Sequence, residues 1–420
     1  HQIDHYYRST GTAPDKIQVD DHTCNDLDLH AFFFLVDRTL TCPGESVLYS
    51  MLRTPCTSQS ASELLRRHQI ASLLESNKAT REKLQLILLK LGRSKANAIT
   101  HLLWDELPAK PAGAVIYNLL ALAAVLVLAL PFLLGSRFFL IIPSLFAVNT
   151  SIHYKLRARF SHQISAIADL AGLLRAALAI VGADLPGLEP EQQQIEAATA
   201  SAHKILRKTR SLLADVSTGS DLYFFYEYLK ILFLTDIRCF FATLDEIRRQ
   251  IHELRESYRL IGSLDALLAV ASYRQSLDYV EPEFIASEKS LKAVNIRHPL
   301  LNNPTPNSIE IQHKGILITG SNMAGKSTFL RTLGLNAIMA QSIYTCLAQA
   351  YTASYLQPVT SINKLDDIKE SKSLYFAEAE RLRNVIAPSY TQVPGLCLID
   401  ELLSGTNYVE RIAASQAILN

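Results

Sequence analysis

The sequence lacks an excess of charge of either sign, and its cysteines lack any paired spacing. The 420 residues carry 41 basic and 40 acidic side chains, so no global charge points to nucleic acid and only local patches would attract it. The cysteines are scattered, at Cys24, Cys42, Cys56, Cys239, Cys346 and Cys397. This spacing excludes a paired-cysteine zinc motif, and we expect buried free thiols in a reducing compartment. The chain also lacks an initiator methionine and stops at Asn420 within a helical pattern, so we expect a fragment missing both ends.

Charged residues are absent from positions 111–134, and a second uncharged run covers 138–154. Spanning a bilayer as a helix takes about 20 apolar residues, which the first run satisfies and the second approaches. The flanking and intervening basic residues are Lys110, Arg137, Lys155, Arg157 and Arg159. The positive-inside tendency predicts a transmembrane hairpin at 111–154 in the cytoplasmic membrane, with both long flanks in the cytoplasm. Two helices buried in a large core, or one inserted and one interfacial helix, are the alternatives.

Helical periodicity dominates the sequence on both sides of this hairpin. Residues 1–22 are polar and irregular, whereas 23–110 form a helical domain with apolar residues at helical spacing. Helical patterns return over 155–290. One apolar stripe there is formed by Ile237, Phe241, Leu244, Ile247, Ile251, Leu254 and Tyr258. If the helix is continuous over 222–276 it is about 80 Å long, which suits a lever better than a compact core.

A phosphate-binding loop follows in the last part of the chain. The apolar run 316–319 predicts a buried strand, and a helical pattern begins near Phe329. Between them lies Gly320-Ser321-Asn322-Met323-Ala324-Gly325-Lys326-Ser327-Thr328. Glycines at this spacing let backbone N–H groups surround an anion at a helix N-terminus. Lys326 would reach the outer phosphates and Ser327 would ligate Mg²⁺, so the loop predicts binding of a nucleoside triphosphate such as ATP.

A second apolar run, 395–399, ends in Asp400 and Glu401. A carboxylate at the end of a buried strand can hold Mg²⁺ through its coordinated waters, which is the role we predict for Asp400. Glu401 is then placed to orient or deprotonate an attacking water. Together with the loop, this pair favours an ATPase that uses a glutamate base. Strand-like runs alternate with helices from residue 294 onward, which predicts an α/β domain with parallel strands.

The predicted fold is therefore mixed. An all-α core and lever domain with a transmembrane helical hairpin precedes an α/β P-loop NTPase domain of the ABC ATPase type. The predicted divisions are 1–22, 23–110, 111–154, 155–290 and 291–420.

The loop resembles the nucleotide loop of the MutS family of mismatch-repair ATPases, in which the Asn322-Met323 pair is the distinguishing part. Other segments resemble that family in the same order: Asp37-Arg38-Thr39-Leu40-Thr41, Leu264-Asp265-Ala266-Leu267, Arg297-His298-Pro299, Asp366 to Ser373, and Asp400-Glu401 with Gly405-Thr406. The resemblance implies a homodimer with composite ATP sites and Mg²⁺. It also implies a nucleotide contact for His298, and a partner-site contact for Ser373. An ordinary exposed helix residue at Ser373 and a loop pair at Arg297-His298 are the alternatives.

Departures from the family pattern point to a membrane-associated branch. Ser321 and Ala324 replace a common Pro and Gly, and Asn407-Tyr408-Val409-Glu410 replaces a Ser/Thr-rich run. We find no mismatch-reading domain before the helical region of this sequence, although missing N-terminal sequence could contain one. The apolar hairpin interrupts the helical region.

Two functions fit these features. In the first, a MutS-like ATPase couples ATP to lever movement and DNA binding in a repair-like or DNA-structure-sensing role. In the second, a membrane-anchored ATP switch acts on a protein partner without DNA. A transporter ATPase fits less well, because two short helices provide little membrane domain for a substrate path. Two basic clusters are either DNA contacts or solvated helix faces: Lys204, Arg207, Lys208 and Arg210, and Arg248, Arg249, Arg255 and Arg259.

Overall fold

The computed structural model describes most of the chain as helix with two small sheets. The described residues are 2–10, 17–94, 98–108, 115–135, 137, 140–212, 228–285, 289–312, 315–321, 325–362, 374–386, 393–401, 409, 411–413 and 416.

Twelve labelled helices precede the lever region: α1 (Gln2–Thr10), α2 (Asp21–Asp26), α3 (Leu29–Val36), α4 (Cys42–Arg53), α5 (Ala61–Ser76), α6 (Lys78–Leu91), α7 (Ala98–Trp104), α8 (Val115–Leu134), α9 (Ile141–Arg159), α10 (Ser161–Val181), α11 (Glu189–Ala198) and α12 (Ala202–Leu212). The helix α1 corrects the expectation that residues 1–22 are irregular. Tyr6 and Tyr7 lie buried on its inner face, and Tyr6 packs edge-on against Trp104 with ring centroids 5.0 Å apart.

The predicted lever is two helices, α13 (Thr235–Arg249) and α14 (Ile251–Arg274), so a continuous helix over 222–276 is wrong. Leu234 adopts a left-handed backbone with φ of 48°, which ends the helical stretch before α13. Gln250, with φ of −115° and ψ of 23°, separates α13 from α14. The apolar stripe continues across Gln250 because both helices pack against the same core.

Helix α14 packs along α4 at very short range. A Cβ atom at Gly262 would lie 2.6 Å from the carbonyl oxygen of Pro43. Nearby, the Asp265 carboxylate accepts hydrogen bonds from the backbone N–H of Thr41 (2.8 Å) and from its hydroxyl (2.6 Å), at the start of α4. Burial raises the pKa of Asp265 to about 6, against the opposing effect of these donors. The glycine and the carboxylate together set the distance between the two helices.

The α/β part contains two sheets. The first has the order β1 (Glu283–Phe284), β4 (Ala350–Ala353), β2 (Ser290–Ile296), β3 (Asn307–Gln312), and the second pairs β5 (Gln357–Ser361) with β6 (Gly395–Ile399). Strands β5 and β6 are parallel, as are β1 and β4, whereas β2 is antiparallel to both neighbours. Two helices complete this part, α15 (Lys326–Ile343) and α16 (Leu374–Ile386).

The predicted strand at 316–319 is not formed. Residues 315–320 have no regular secondary structure, and Leu317 is 82% exposed. Ile316 and Ile318 instead line a cavity of about 300 Å³ beside β6, together with Leu330 and Leu396. The apolar side chains of this segment thus face the same cavity as side chains of β6, without a backbone ladder between the two segments.

Most cysteines are buried, in agreement with the sequence. Cys24, Cys42, Cys56 and Cys346 are buried and Cys239 is half-buried, but Cys397 is exposed. On β6, Cys397 alternates with the buried residues Leu396 and Leu398, so its side chain points to the opposite face of the strand.

The two apolar runs form helices α8 and α9, which contact each other and α13. Leu119, Leu122 and Leu126 on α8 are each more than half exposed, while Ala121 and Ala124 are buried. By length and hydropathy, one described helix could cross a membrane, namely α10, and half of it is buried within the protein. The apolar part of α8, Val115–Pro131, is shorter. This is a weak indication of a membrane span, and the hairpin stays a prediction.

We expect Gly262→Ala to destabilise the protein, because its Cβ would collide with the backbone of α4. Overpacking of this kind costs about 1–3 kcal/mol, against a gain in helix propensity below about 1 kcal/mol. Gly172→Ala in α10 is the matched control, since its Cβ would meet only the Leu91 Cδ1 atom at 3.3 Å. Thermal unfolding followed by circular dichroism compares them, and equal midpoints for the two variants would contradict this packing argument.

Candidate nucleotide site

The phosphate loop leads directly into α15. Gly325 adopts φ of +82°, a left-handed conformation that favours glycine, and forms the N-cap of the helix. Lys326 and Ser327 are therefore the first two helical residues, where the positive end of the helix dipole lies. Asn322, Met323 and Ala324 fall outside the described residues.

Lys326 folds back over the loop. Its Nζ atom donates to the carbonyl oxygens of Gly320 (2.8 Å) and Ser321 (3.1 Å). The ammonium group is thereby held on the loop side of the helix start, which is where a lysine must lie to reach phosphate oxygens. Thr328 is half-buried, and its carbonyl oxygen accepts from the Thr332 hydroxyl at 2.7 Å.

Ser327 and Asp400 are joined directly. The Ser327 hydroxyl donates a hydrogen bond to Asp400 Oδ2, although the two residues are 73 positions apart in the sequence. The Asp400 backbone N–H donates to the Ser361 carbonyl oxygen at 2.9 Å, which extends the β5–β6 ladder to this residue. The sequence-predicted metal ligands therefore meet at one point, between a helix start and a strand end.

The chemistry of the Ser327 hydroxyl and the Asp400 carboxylate, as metal ligands, fits Mg²⁺. A hydroxyl and a carboxylate offer the hard oxygen ligands that Mg²⁺ prefers, and Mg²⁺ is usually held by one or two such groups with waters and phosphates completing its shell.

Glu401 directly follows this carboxylate and adopts a left-handed backbone with φ of 46°. A non-glycine residue in this region costs about 1–3 kcal/mol and is found preferentially at functional sites. Its side chain is exposed, as a group that contacts a solvent-derived nucleophile would be.

His298 lies against the side of α15. It is 8% exposed, and its Nδ1 atom accepts from the Leu300 N–H at 3.2 Å. Burial and the nearby Arg331 lower the pKa of His298, against the opposing charge of Asp28. Arg297 donates to the Asp278 carbonyl oxygen at 2.8 Å. Within the described residues no hydrogen bond joins His298 to the phosphate loop, so its nucleotide contact stays a prediction. Ser373 lies outside the described residues.

Sequence reasoning missed Asp26, which supports the strand beside the Asp400 carboxylate. This buried carboxylate accepts from the Thr360 hydroxyl at 2.7 Å and from the Ile362 N–H at 2.9 Å. Arg381 donates to the Thr360 carbonyl oxygen at 2.8 Å and to the Thr23 hydroxyl at 3.0 Å. An N-terminal helix, α2, is thus fastened to β5. No local pattern marks Asp26, because its partners lie more than 300 positions away.

Residues 316–420 match the family described as MutS domain V. The DNA mismatch repair protein MutS of Thermus aquaticus is 32% identical over 183 residues, which are 43% of this chain and 22% of that protein. The DNA mismatch repair protein MutS of Staphylococcus carnosus is 31% identical over 184 residues, 42% of this chain and 21% of that protein. The chain thus matches about a fifth of the length of these relatives.

Proposed function

We propose that this chain, whose residues 316–420 match MutS domain V, is a Mg²⁺-dependent ATPase of the MutS family. The observation that carries the proposal is the hydrogen bond between Ser327 and Asp400, which joins the phosphate loop to the strand-end carboxylate. MutS domain V is a P-loop ATPase domain, and the match over residues 316–420 includes the loop, Asp400 and Glu401.

In this proposal each residue has a defined task. The loop from Gly320 to Thr328 holds the phosphates with backbone N–H groups, and Lys326 exchanges its loop carbonyls for the outer phosphate oxygens. Ser327 and Asp400 hold Mg²⁺, which when bound neutralises phosphate charge. Glu401 accepts a proton from, or orients, the attacking water.

We further propose that the protein is a homodimer in which Ser373 reaches the nucleotide of the neighbouring subunit and His298 contacts its own. ATP binding then changes the angle of the α13–α14 lever and, through it, DNA binding in a mismatch-repair-like or DNA-structure-sensing role. The family resemblance supports this coupling, and so does the shared hydrophobic core, which extends from Leu267 on α14 to Leu333 on α15.

The second candidate is a membrane-anchored ATP switch that acts on a protein partner without DNA. It is favoured by how the apolar hairpin meets the lever. Arg238 on α13 donates to Asn118 Oδ1 on α8 at 2.8 Å, and Tyr117 stacks on Phe241 with ring centroids 6.0 Å apart. Residues 111–154 would lie in the cytoplasmic membrane and the ATPase domain in the cytoplasm.

Charge pairing in the second basic cluster also favours this candidate. Arg248 pairs with Asp245 at 3.3 Å, Arg249 with Glu246 at 3.4 Å, and Arg259 with Glu256 at 2.5 Å. In the first cluster, Lys208 pairs with Glu246 at 2.5 Å, whereas Lys204 and Arg207 are exposed. Among the residues of this cluster whose side chains the structure describes, a DNA contact would therefore rest on Lys204 and Arg207, and the Arg210 side chain lies outside the described part.

We expect Glu401→Gln to bind ATP normally but to lower the hydrolysis rate by about 10²–10⁴-fold, since the amide cannot accept the water's proton. Lys326→Ala should instead abolish ATP binding, because the phosphates lose their cation. Nucleotide titration and phosphate release on the purified protein separate the two effects. Near-normal turnover in Glu401→Gln would remove Glu401 as the base.

The DNA candidate predicts salt-dependent affinity for duplex DNA by the detergent-solubilised protein. Each phosphate contact changes the slope of log K against log salt by about −0.9, so Lys204→Gln with Arg207→Gln should reduce the slope by about two. Arg248→Gln, whose arginine is ion-paired, is the matched control and should leave it unchanged. Absence of binding at low salt would reject the DNA clamp and leave the protein-partner switch.

The membrane hairpin predicts that the protein stays in the membrane fraction in high salt and is released only by detergent. Replacing Leu119, Leu122 and Leu126 by Asn should release it, because these side chains form the exposed apolar face of α8. The matched control replaces Leu86 and Leu89, which are similarly exposed on α6, and should remain membrane-bound. A wild-type protein that is soluble in high salt without detergent would refute the hairpin.

A further inference from the structure

Arg274, the last residue of α14, is buried deep between the helical domain and the α/β part. It is 1% exposed, and its guanidinium makes a dense set of hydrogen bonds. Nε donates to the Thr345 hydroxyl at 2.9 Å, and Nη2 donates to the carbonyl oxygens of Ile343 at 2.8 Å and Tyr344 at 3.0 Å. All three acceptors belong to the end of α15 or the turn that follows it.

The charge of Arg274 faces the end of this helix. Burial lowers the pKa of Arg274, against the opposing effects of Tyr279 and of the more distant carboxylates Glu75 and Glu281. Among the residues that the structure describes, no carboxylate oxygen lies within 4 Å of its guanidinium. A buried charge without a partner is costly, so an alternative source of negative potential is needed. The unpaired carbonyl groups at a helix C-terminus carry about half a negative charge, and the guanidinium is placed on them. The Tyr279 ring, 5.2 Å from the guanidinium carbon, adds a second favourable surface.

The backbone at the C-terminal end of α15 presents acceptors that suit the planar guanidinium of Arg274. Tyr344 ends the helix in a left-handed conformation with φ of 50°, and its ring packs on His68 at 4.6 Å between centroids. The planar guanidinium reaches several acceptors in different directions, which a lysine ammonium on a flexible stem cannot reproduce.

The two ends of α15 therefore contact different parts of the protein: the phosphate loop at one end and Arg274 of α14 at the other. Its first residue is Lys326 of the phosphate loop, and its 18 residues place the Arg274 contact about 27 Å away at 1.5 Å per residue. The body between is rigid, because residues 332–343 are all buried. A rotation or shift of the helix at the loop would move its far end as well.

We infer that Arg274 is a positioning residue that fastens the lever helix α14 to the phosphate-loop helix α15, so that the nucleotide state is transmitted to the lever through this contact. The inference rests on the proposed ATP binding. It assigns the coupling between nucleotide and lever to the C-terminal end of α15, opposite to the phosphate loop. Arg274 touches none of the loop residues there.

Arg38 offers a matched control at the same end of α14. It donates to the Ser272 carbonyl oxygen at 2.5 Å and to the Ser276 hydroxyl at 2.8 Å. Its guanidinium thus holds the last turn of the lever, because its hydrogen bonds go to Ser272 on α14 and to Ser276 just beyond it, and not to α15. Loss of Arg38 removes an arginine contact from α14 and leaves the α14–α15 junction intact.

The experiment measures hydrogen exchange of amides 251–274 in the full chain in detergent, with and without a non-hydrolysable ATP analogue and Mg²⁺. In the wild type we expect the analogue to change this exchange. In Arg274→Lys, and in the milder Thr345→Val, we expect affinity for the analogue to persist while the nucleotide-dependent change is lost. Arg38→Gln should respond like the wild type. Thr345→Val keeps the test in place should Arg274→Lys fail to fold.

The outcomes separate the coupling from the proposed function. A wild type that does not bind the analogue overturns the ATPase proposal and with it this inference. A wild type that binds but shows no change at 251–274 overturns the inference alone. So does an unchanged response in the Thr345→Val and Arg274→Lys variants. If Arg38→Gln lost the nucleotide-dependent change in exchange to the same extent, Arg274 would be one of several structural contacts and the inference would be overturned.

Discussion

Helix α15 is the element on which the rest of the molecule depends, because both of its ends are engaged. Gly325 turns the chain into its N-terminus, where backbone N–H groups and Lys326 gather, and the Arg274 guanidinium caps its C-terminal carbonyls. The guanidinium lies at the negative end of the helix dipole, which is favourable for a cation, whereas the positive N-terminal end favours an anion such as a phosphate. The helix is held along its length as well: Gln341 donates to the Cys56 carbonyl oxygen at 3.1 Å and accepts from the Leu356 N–H at 2.8 Å.

The apolar helices α8 and α9 are connected to α15 through α13 and α14. Helix α8 contacts α13 through Asn118 and Arg238. Asn149 on α9 donates to the carbonyl oxygen of Leu232, shortly before α13, at 2.6 Å. Helix α13 leads through Gln250 into α14, which approaches α4 so closely that a Cβ atom at Gly262 would lie 2.6 Å from the Pro43 carbonyl oxygen. A movement of the phosphate-loop helix therefore has a packed route toward the hairpin. Protein interiors are too dense to absorb such a shift locally.

The features that could be predicted from the sequence are those that depend on short, continuous segments of the chain. The glycine spacing before Lys326, the apolar run that became β6 and the acidic pair at its end each depend on neighbours a few positions away. The predictions that were wrong depend instead on contacts with distant parts of the chain. The stripe from Ile237 to Tyr258 has the same period on both sides of Gln250, so periodicity does not reveal the break there. Ile316 and Ile318 have strand-like composition, but a strand also needs a free edge to pair with, and that depends on distant residues.

The sequence by itself determined the residues of the candidate nucleotide site: a glycine-rich loop, a hydroxyl and a carboxylate of the kind that Mg²⁺ prefers, and a following glutamate. It also determined that an uncharged apolar stretch interrupts the helical region. Only the tertiary structure decided which side chains support that chemistry. Asp26 holds β5 from 334 positions away, and Arg274 holds the end of α15 from 69 positions away. The physical reason is that a buried polar group is defined by its partners, and those partners come together only when the chain has folded.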